Sequence, residues 1–361
     1  MCIRDRVESS TGIAGENVFE DIVTKYGGRI LRRYKHIFKG VSLELKSKAL
    51  DKIRRLAIVD FIEEDGVATI DSVASWGLDR IDQEQLPIDG VYQHNLGDGK
   101  NVHVYILDTG LNAAHEDFEG RASITTEMDM YGGTGDDCQG HGTHCAGTVG
   151  SKTYGVAPGV QLYGVRVLKC NGAGSYSVIM QGMDWVAKNH QSPAVASISI
   201  GGSYSRLMNE AANALVKAGV TVVVAAGNDN TDACNRSPAS SGDVITVAAS
   251  NKNDNKPTWS NYGECVNIFA PGAGIPSTYI GSTTAMKTSS GTSMATPHVA
   301  GVAALILGQD STLTPADVKS RIEDAATKDM LVDLDSAQKS PNLLLCIPKD
   351  KPTPLPKINI L

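Results

Sequence analysis

A carboxylate, an imidazole and a hydroxyl occur in three segments of this sequence that each mark a strand end or a helix start. Asp108 follows the apolar run Val102–Leu107, His141 stands before a stretch of small residues, and Ser293 opens a second such stretch. Brought together, these side chains can perform nucleophilic acyl transfer: the serine attacks, the histidine takes its proton and the aspartate orients the histidine.

Each of these residues also has a simpler interpretation when it is considered alone. An aspartate before Thr-Gly, as at Asp108, is typical of a turn, and a serine before a helix, as at Ser293, is typical of a cap. His141, His144 and Cys145 are close enough in sequence to suggest zinc. A structural zinc site needs four ligands with paired spacing, however, and no second pair follows.

The order of the three residues along the chain separates the enzyme classes that share this chemistry. Asp, His, Ser differs from the order His, Asp, Ser in chymotrypsin and from Ser, Asp, His in α/β-hydrolases. Gly291 and Ser293 partly mimic the nucleophile elbow of an α/β-hydrolase esterase. That class needs an aspartate and then a histidine after the serine, whereas only His298 follows. An esterase is therefore the weaker alternative.

The elements around these residues follow the pattern of an α/β fold. Apolar strand runs occur at Val102–Leu107, Leu162–Val167, Val195–Ile200, Val220–Ala225 and Val244–Ala248. Helical stretches such as Tyr176–Asn189 and Leu207–Ala218 lie between them. This alternation predicts a mostly parallel sheet with helices on both faces. Sites of such sheets lie at the carboxyl ends of the strands.

The flanking regions differ from this central pattern. Between Ile22 and Ile70, strand-like runs flank a helix-like run from Leu43 to Leu56, which predicts a small α+β unit. Met1–Arg6 has no feature of a secretory signal, so we expect residues 1–14 to be uninformative and not native. The proline- and lysine-rich residues 347–361 are interpreted as a peripheral tail.

Composition and charge exclude several function classes. The 361 residues suffice for one large domain and a small one, and 41% hydrophobic and 20% charged residues are ordinary for a soluble globular protein. The formal net charge of −7 argues against nucleic acid or an anionic membrane as the main partner. No run approaches the length of a membrane span. We take a monomer as the default oligomeric state.

The three segments resemble the three signature motifs of the subtilase family, in the family's order. The motifs are Tyr105–Gly110, Gly140–Thr148 and Ser289–Gly301. Trp76–Gln83 and the loop cysteines resemble the proteinase K branch and, within it, the aqualysin-like enzymes. The resemblance implies a subtilisin-like catalytic domain over residues 72–346. It also implies a ferredoxin-like pro-domain of the inhibitor I9 type over residues 15–71, although the expected first strand of that domain has no clear counterpart.

The family's roles carry over to matching residues of this sequence. The resemblance implies that Ser293 is the nucleophile, His141 the general base and acid, and Asp108 the residue that fixes the imidazole tautomer. Asn228 ends the segment Val222–Gly227, which resembles the family's oxyanion-hole segment. An asparagine after glycine is also common in turns. The implied function is a secreted serine endopeptidase, and the alternative is a catalytically dead subtilase that acts as a binding protein.

The resemblance also implies where an extended peptide substrate binds. One edge of the cleft is expected at Gly172, Ala173, Gly174, Ser175 and Tyr176, and the other at Ser199, Ile200 and Gly201. The small residues Ala225, Ala226 and Gly227 leave room in the primary pocket. We therefore expect broad cleavage after apolar or aromatic residues, because backbone pairing is sequence-tolerant.

The cysteines suggest disulfide bonds, and a group of acidic residues suggests a metal site. Spacing leaves the disulfide connectivity open, and the resemblance implies the bridges Cys138–Cys170 and Cys234–Cys265, an inert buried thiol at Cys145 and no partner for Cys346. A structural calcium site is expected at Asp79, Asp82, Gln83 and Asp89, since hard oxygen ligands suit this ion. A second family site would use the carbonyls of Gly242 and Val244. Asn267 stands there in place of an aspartate, so we expect weak or no binding.

A pro-domain of this type implies latency. In the family it inhibits the enzyme and assists its folding, so we expect it to be an intramolecular inhibitor here. Its stretch Val67–Asp71 would lie in the cleft like a product. We expect self-cleavage between about Thr69 and Ser75, after which the enzyme acts on proteins and peptides outside the cell.

Overall fold

The computed structural model describes residues 2–5, 23–34, 40–44, 51, 53–55, 59–63 and 73–349. The chain divides into two compact units, Met1–Ile70 and Asp71–Leu361. Within the described residues, no helix is both long enough and apolar enough to cross a membrane.

The first unit contains a four-stranded antiparallel sheet. Its strands are β1 (Cys2–Asp5), β2 (Arg29–Tyr34), β3 (Gly40–Glu44) and β4 (Val59–Glu63). They lie in the order β2-β3-β1-β4, with helical residues 23–25 between β1 and β2 and helical residues 51, 53 and 54 between β3 and β4. This is the ferredoxin-like arrangement predicted for the pro-domain. Its buried apolar cluster consists of Val23, Val41, Leu43, Ile53 and Val59.

The structure corrects two predictions for this unit. Residues 1–14 were expected to be uninformative and the first strand to be missing, whereas Cys2–Asp5 forms β1 between β3 and β4. Cys2 pairs with Ser42 on one side and with Glu63 on the other, so tertiary pairing rather than local pattern determines this strand. Leu43, predicted in a helix, belongs to β3. The rest of that predicted helix lies largely outside the described residues, as does the stretch 64–72.

The second unit is built on a nine-stranded sheet. Its strands are β5 (His103–Asp108), β6 (Ala122–Ser123), β7 (Gln161–Arg166), β8 (Ala194–Ile198), β10 (Val220–Ala225), β12 (Ile245–Ser250), β13 (Ile268–Pro271), β16 (Thr327–Lys328) and β17 (Leu343–Leu344). Their order is β16-β17-β13-β12-β10-β8-β5-β7-β6. Every pairing is parallel except that of β16 with β17. The sheet is thus mostly parallel, as predicted.

Two small ribbons and six helices complete the second unit. The ribbons pair β9 (Gly202–Ser203) with β11 (Arg236–Ser237) and β14 (Ile275–Thr278) with β15 (Met286–Ser289). The helices are α1 (Trp76–Ile81), α2 (His141–Gly150), α3 (Tyr176–Asn189), α4 (Arg206–Lys217), α5 (Thr292–Gln309) and α6 (Pro315–Ala325). Short 3-10 turns lie at Glu116–Phe118, Thr126–Met128, Ala233–Asn235 and Ser336–Gln338.

Both faces of the sheet are buried, and strand β10 shows why its sequence is continuously apolar. Val223 packs in the cluster that contains helix α5. Val222 and Val224 pack in a second cluster with helices α3 and α4. Successive side chains of a strand point to opposite faces, so a strand covered on both sides needs an apolar residue at every position.

The carboxyl end of the described chain extends the catalytic unit beyond its predicted limit. The predicted tail begins at residue 347, but Ile347 is buried and its N–H donates to the Ile81 carbonyl (2.6 Å). Lys349 forms an ion pair with Glu84 (2.7 Å). Residues 350–361 lie outside the described residues. Strand β17 pairs with β13 and so places the residues that follow it next to the sheet. The local sequence does not indicate this pairing.

Candidate active site

Asp108 is the last residue of β5, at the carboxyl edge of the sheet, and its side chain is almost completely buried. The carboxylate accepts a hydrogen bond from the Thr109 N–H (2.7 Å). Nδ1 of His141 lies 2.8 Å from each of its two oxygens. Because an ionised carboxylate only accepts, Nδ1 must carry the proton, and Nε2 is left as the unprotonated nitrogen of the neutral ring.

His141 begins helix α2 directly after Gly140, whose backbone is left-handed with a φ of 101°. A side chain at Gly140 would also meet the ring of Tyr279, since an added Cβ would lie 2.3 Å from it. The His141 N–H donates to the side-chain oxygen of Gln139 (2.8 Å). This tight entry into the helix fixes the position of the imidazole, which keeps about a quarter of its surface exposed (28%).

A second aspartate, Asp137, ties the two segments together. Its Oδ1 accepts from the Thr109 hydroxyl (2.8 Å), next to Asp108, and from the Gly140 N–H (2.8 Å), next to His141. Its Oδ2 accepts from the N–H and the hydroxyl of Thr143 (2.9 and 2.7 Å). The end of β5 and the start of α2 therefore share one carboxylate. The sequence analysis missed this residue.

Ser293 lies in the first turn of α5, where the helix dipole favours developing negative charge. Its hydroxyl donates to the Ser199 carbonyl (3.1 Å). The Ser293 carbonyl accepts from the Ser199 hydroxyl (3.0 Å) and from the Cys145 thiol (3.4 Å). The hydroxyl is thus held at the cavity wall by the Ser199 carbonyl.

Asn228 follows β10 and is oriented by the residue that precedes the serine. Its Oδ1 accepts from the N–H of Thr292 (2.8 Å) and from the hydroxyl of Thr292 (3.0 Å). Because a backbone N–H can only donate, the atom that faces it must be the amide oxygen. The Nδ2 group is consequently available as a donor beside Ser293.

His141, Asn228 and Ser293 line one cavity of about 480 Å³, and Asp108 contacts His141 without lining the cavity itself. The cavity is lined by Thr109, Gln139, His141, Leu168, Gly172, Ser199, Ile200, Gly201, Gly202, Ala225, Ala226, Gly227, Asn228, Asp229, Arg236, Thr292 and Ser293. The predicted cleft residues are therefore brought together, except Ala173, Gly174, Ser175 and Tyr176, which do not line it. The Tyr176 hydroxyl instead donates to the Ser203 carbonyl (2.7 Å).

The pKa values of three histidines near this site shift in different directions: that of His141 rises, and those of His144 and His298 fall. Burial lowers the pKa of His141, but the Asp108 charge and hydrogen bond outweigh burial and hold that pKa well above its ordinary value. Burial lowers the pKa of His144 and of His298 to about 4 each. His144 contacts the carbonyls of Ile275 and Lys287 through Nε2. Only His141 is therefore suited to accept and hold a proton.

The structure places the residues of the zinc alternative and the cysteines of the second unit as follows. Among the described residues, Asp108, His141 and Cys145 are the one group of His, Cys, Asp or Glu with ligand atoms all within 4.8 Å. His144, which the zinc alternative requires, is directed elsewhere. Cys145 is a buried free thiol with its sulfur 3.9 Å from His141 Nδ1. The bridges Cys138–Cys170 and Cys234–Cys265 form as the resemblance implies, and Cys346 is buried and free.

The predicted calcium residues lie at the end of helix α1 and in the loop that follows it, and residues 79–93 are here called the acidic loop. Asp79 accepts from the N–H groups of Asp89 (3.1 Å) and Gly90 (2.9 Å), and the Gln83 side-chain oxygen also accepts from the Asp89 N–H (3.2 Å). Burial and then the charges of Asp79 and Asp89 raise the pKa of Asp82 to about 6. Burial also raises the pKa of Asp79. Partly buried carboxylates offer the hard oxygen ligands that suit calcium.

The second family site contains an internal cation instead. The ammonium group of Lys319, on α6, donates to the carbonyls of Gly242 (3.2 Å) and Val244 (2.9 Å). Asn267 donates to Glu323 (3.0 Å) and accepts from the Thr246 N–H (2.8 Å). The two carbonyls that a calcium ion would use are therefore already bound by a lysine.

Comparisons with known proteins agree on one class. The chain is 46% identical over 325 residues to an extracellular serine proteinase of Thermus sp. (strain Rt41A), covering 89% of this chain and 78% of the relative. It is 46% identical over 291 residues to proteinase R of Parengyodontium album, covering 78% and 74%. The crystal structure of a cold-adapted subtilisin-like serine proteinase matches with a TM-score of 0.73 and 43% identity, covering 78% of this chain and 100% of that chain.

The chain belongs to the subtilase family. Residues 99–342 match the Peptidase S8 (subtilase family) model, and residues 5–71 match the peptidase inhibitor I9 model, which begins inside the segment expected to be uninformative. The family, the subtilisin-like α/β fold, the serine-type endopeptidase class and the pro-domain are thereby confirmed. Neither the catalytically dead alternative nor the esterase is supported. Subtilases commonly bind structural calcium.

Proposed function

We propose that this chain is a secreted serine endopeptidase that hydrolyses peptide bonds through an acyl-enzyme, after it has removed its own pro-domain. The observation that carries the proposal is the contact of His141 Nδ1 with both oxygens of the buried Asp108 carboxylate (2.8 Å), beside the cavity that Ser293 and Asn228 line. A buried carboxylate in this position fixes the ring tautomer and stabilises the imidazolium.

The proton path follows from the ring orientation. When a substrate enters, the Ser293 hydroxyl leaves the Ser199 carbonyl and gives its proton to His141 Nε2, while Oγ attacks the scissile carbonyl carbon. The proton then passes from Nε2 to the leaving amine, and a water molecule repeats the sequence to release the acyl group. Contacts to a catalytic base are commonly loose before substrate binds.

The developing oxyanion needs preorganised donors. Asn228 Nδ2 and the Ser293 N–H are proposed to donate to it, because Thr292 fixes the amide oxygen of Asn228 and so aims the Nδ2 group at the cavity. The N-terminus of α5 adds to this stabilisation. A side-chain donor of this kind contributes about 10²–10³ in kcat.

Substrate preference and partners follow from the cavity and the charge. Ala225, Ala226 and Gly227 leave room for an apolar or aromatic side chain before the cut bond. The relative named as extracellular and the two disulfides support secretion. The net charge of −7 supports peptide substrates rather than nucleic acid or membranes. We propose a monomer with its pro-domain as intramolecular inhibitor and calcium held by Asp79, Asp82, Gln83 and Asp89.

A phosphonate probe that reacts with activated serines tests the proposed function. The processed enzyme is expected to incorporate one probe, mapped by peptide mass to Ser293, and to lose hydrolysis of a Phe-containing peptide in parallel. Ser290→Ala is the control, since Ser290 is a neighbouring serine whose hydroxyl bonds to the Gly274 N–H (2.8 Å), and labelling should persist. Peptide hydrolysis that survives complete labelling of Ser293 would contradict the proposal.

A further inference from the structure

Two oppositely charged side chains line the cavity without a place in the mechanism. Asp229 directly follows Asn228, and Arg236 lies on strand β11. Their side chains form an ion pair between Arg236 Nη2 and Asp229 Oδ2. Because β11 pairs with β9, which begins directly after Ser199–Gly201, this ion pair lies on the side of the cavity that contains this predicted cleft edge.

The geometry relates the pair to one position of a bound peptide. The scissile carbonyl must lie within reach of both Asn228 Nδ2 and Ser293 Oγ. Ala225–Gly227, Asp229 and Arg236 line the same cavity as Asn228 and Ser293. We therefore expect the side chain on the residue before that carbonyl to reach Asp229 and Arg236.

The guanidinium keeps donors for such a side chain. Within the described part of the chain, only Nη2 of Arg236 makes a hydrogen bond, and a quarter of the side chain is exposed (25%), against 56% for Asp229. A guanidinium has five N–H donors in a planar fork that matches carboxylates. The remaining donors, Nε and Nη1, can bind a second acceptor while Asp229 stays in place.

We propose that Arg236 is a specificity-determining residue that admits glutamate, in addition to apolar side chains, before the cut bond, and that Asp229 moderates this preference by competing for the guanidinium. The inference rests on the proposed function, since it names a substrate class of the same cavity. A charge-assisted hydrogen bond to a partly buried guanidinium is strong enough to change kcat/KM by about tenfold or more.

Two fluorogenic peptides that differ only by Glu or Gln before the cut bond provide the test, with a third carrying Phe. The measured quantity is the Glu/Gln ratio of kcat/KM, because the two side chains have nearly the same shape. Arg236→Met should lower this ratio about tenfold. Asp229→Asn should raise it by removing the competing carboxylate. Arg206→Met, which removes an exposed arginine paired with Glu210 outside the cavity, should leave it unchanged.

The outcomes separate the inference from the proposed function. A ratio that is the same in Arg236→Met and Asp229→Asn as in the unchanged enzyme overturns the inference, while hydrolysis of the Phe peptide with labelled Ser293 leaves the proposed function intact. If no peptide is cleaved by the unchanged, processed enzyme, the proposed function fails and the inference fails with it. Phosphonate labelling of each variant verifies folding, and Asp229→Asn decides the question if Arg236→Met does not fold.

Discussion

The cleft and the core behind it contain histidines whose pKa values shift in opposite directions, and two of them, His141 and His144, lie one helical turn apart. His141 contacts the buried carboxylate of Asp108, and its pKa is held well above the ordinary value. His144 and His298 are buried without a carboxylate, and the pKa of each falls to about 4. His144 Nδ1 and His298 Nε2 have no hydrogen-bond partner among the described residues.

The difference shows that the neighbour, not the residue type, decides what a buried ionisable group can do. Burial alone keeps an imidazole neutral, because the charged form loses its hydration. A fixed counter-charge reverses that effect and creates a base that can hold a proton during a reaction. Asp82 illustrates the effect of burial on an acid, because burial and then the charges of Asp79 and Asp89 raise its pKa to about 6 and favour its neutral form.

Removing the counter-charge should make His141 resemble the core histidines. Asp108→Asn is expected to lower kcat/KM about 10⁴-fold, the size of this effect in triads of this type, because the ring loses its required tautomer. The acid limb of the pH–rate profile, which reports protonation of His141, should also move to lower pH. Peptide hydrolysis from pH 5 to 10 measures both, with the exposed α3 residue Asp184→Asn as control. A variant that keeps a tenth of the activity would contradict the role of Asp108.

Several parts of this arrangement could be predicted from sequence because they depend on local pattern. Asp108 and Asn228 each end a continuous apolar run, and such runs are typical of parallel strands that place their last residues at the functional edge. The family motifs then assign the roles. Predictions of this kind need only the strand, its end and the residue type.

Other parts could not be predicted because they depend on distant pairing. Asp137 reaches Thr109 and Thr143 only after β5 and α2 meet, and Lys319 reaches the Val244 carbonyl 75 positions away. The sequence of strand β1 does not alternate between apolar and polar residues, and the strand forms by pairing with β3 and β4. In each case the signal lies in tertiary contacts, which one sequence does not reveal.

The core histidines should make the protein acid-sensitive. Their folded pKa values of about 4 lie below the unfolded value, so the stability they permit above about pH 6.5 is lost as the pH falls towards 4. The slope is up to about 1.4 kcal/mol per pH unit for each histidine. His298→Asn should reduce the slope of the free energy of unfolding against pH by roughly the contribution of one histidine. Urea unfolding measures this slope, in the Ser293→Ala background to prevent self-digestion.

His190→Asn is the matched control for this experiment, because His190 is a half-buried histidine that caps the end of α3, with its ring Nδ1 3.0 Å from the Val186 carbonyl. It should leave the acid slope unchanged. An identical slope in the unchanged protein and in His298→Asn would show that the buried ring is not the group whose protonation drives acid unfolding.

The acidic loop should respond to calcium by a smaller amount. Burial and then the charges of Asp79 and Asp89 raise the pKa of Asp82, so its ionised form destabilises the fold above about pH 6, and a bound cation offsets both effects. Calcium at about 100 times its Kd should stabilise the protein by about 3 kcal/mol, seen as a higher Tm at pH 8. Asp82→Asn should weaken this response and raise the Tm measured in a chelator. Asp243→Asn, an exposed carboxylate beside the Lys319 site, should respond like the unchanged protein.

The central claim, that this chain cuts peptide bonds with Ser293 and begins with its own pro-domain, is tested most directly by intact mass. The expressed chain and its Ser293→Ala variant are folded side by side in calcium and weighed. We predict that only the unchanged chain is shortened, by a cut between Thr69 and Ser75 near the boundary of the two units at Ile70. Equal processing of both chains would contradict the account, because the cut would then not depend on the serine. Two folded chains that both stay whole would also contradict it.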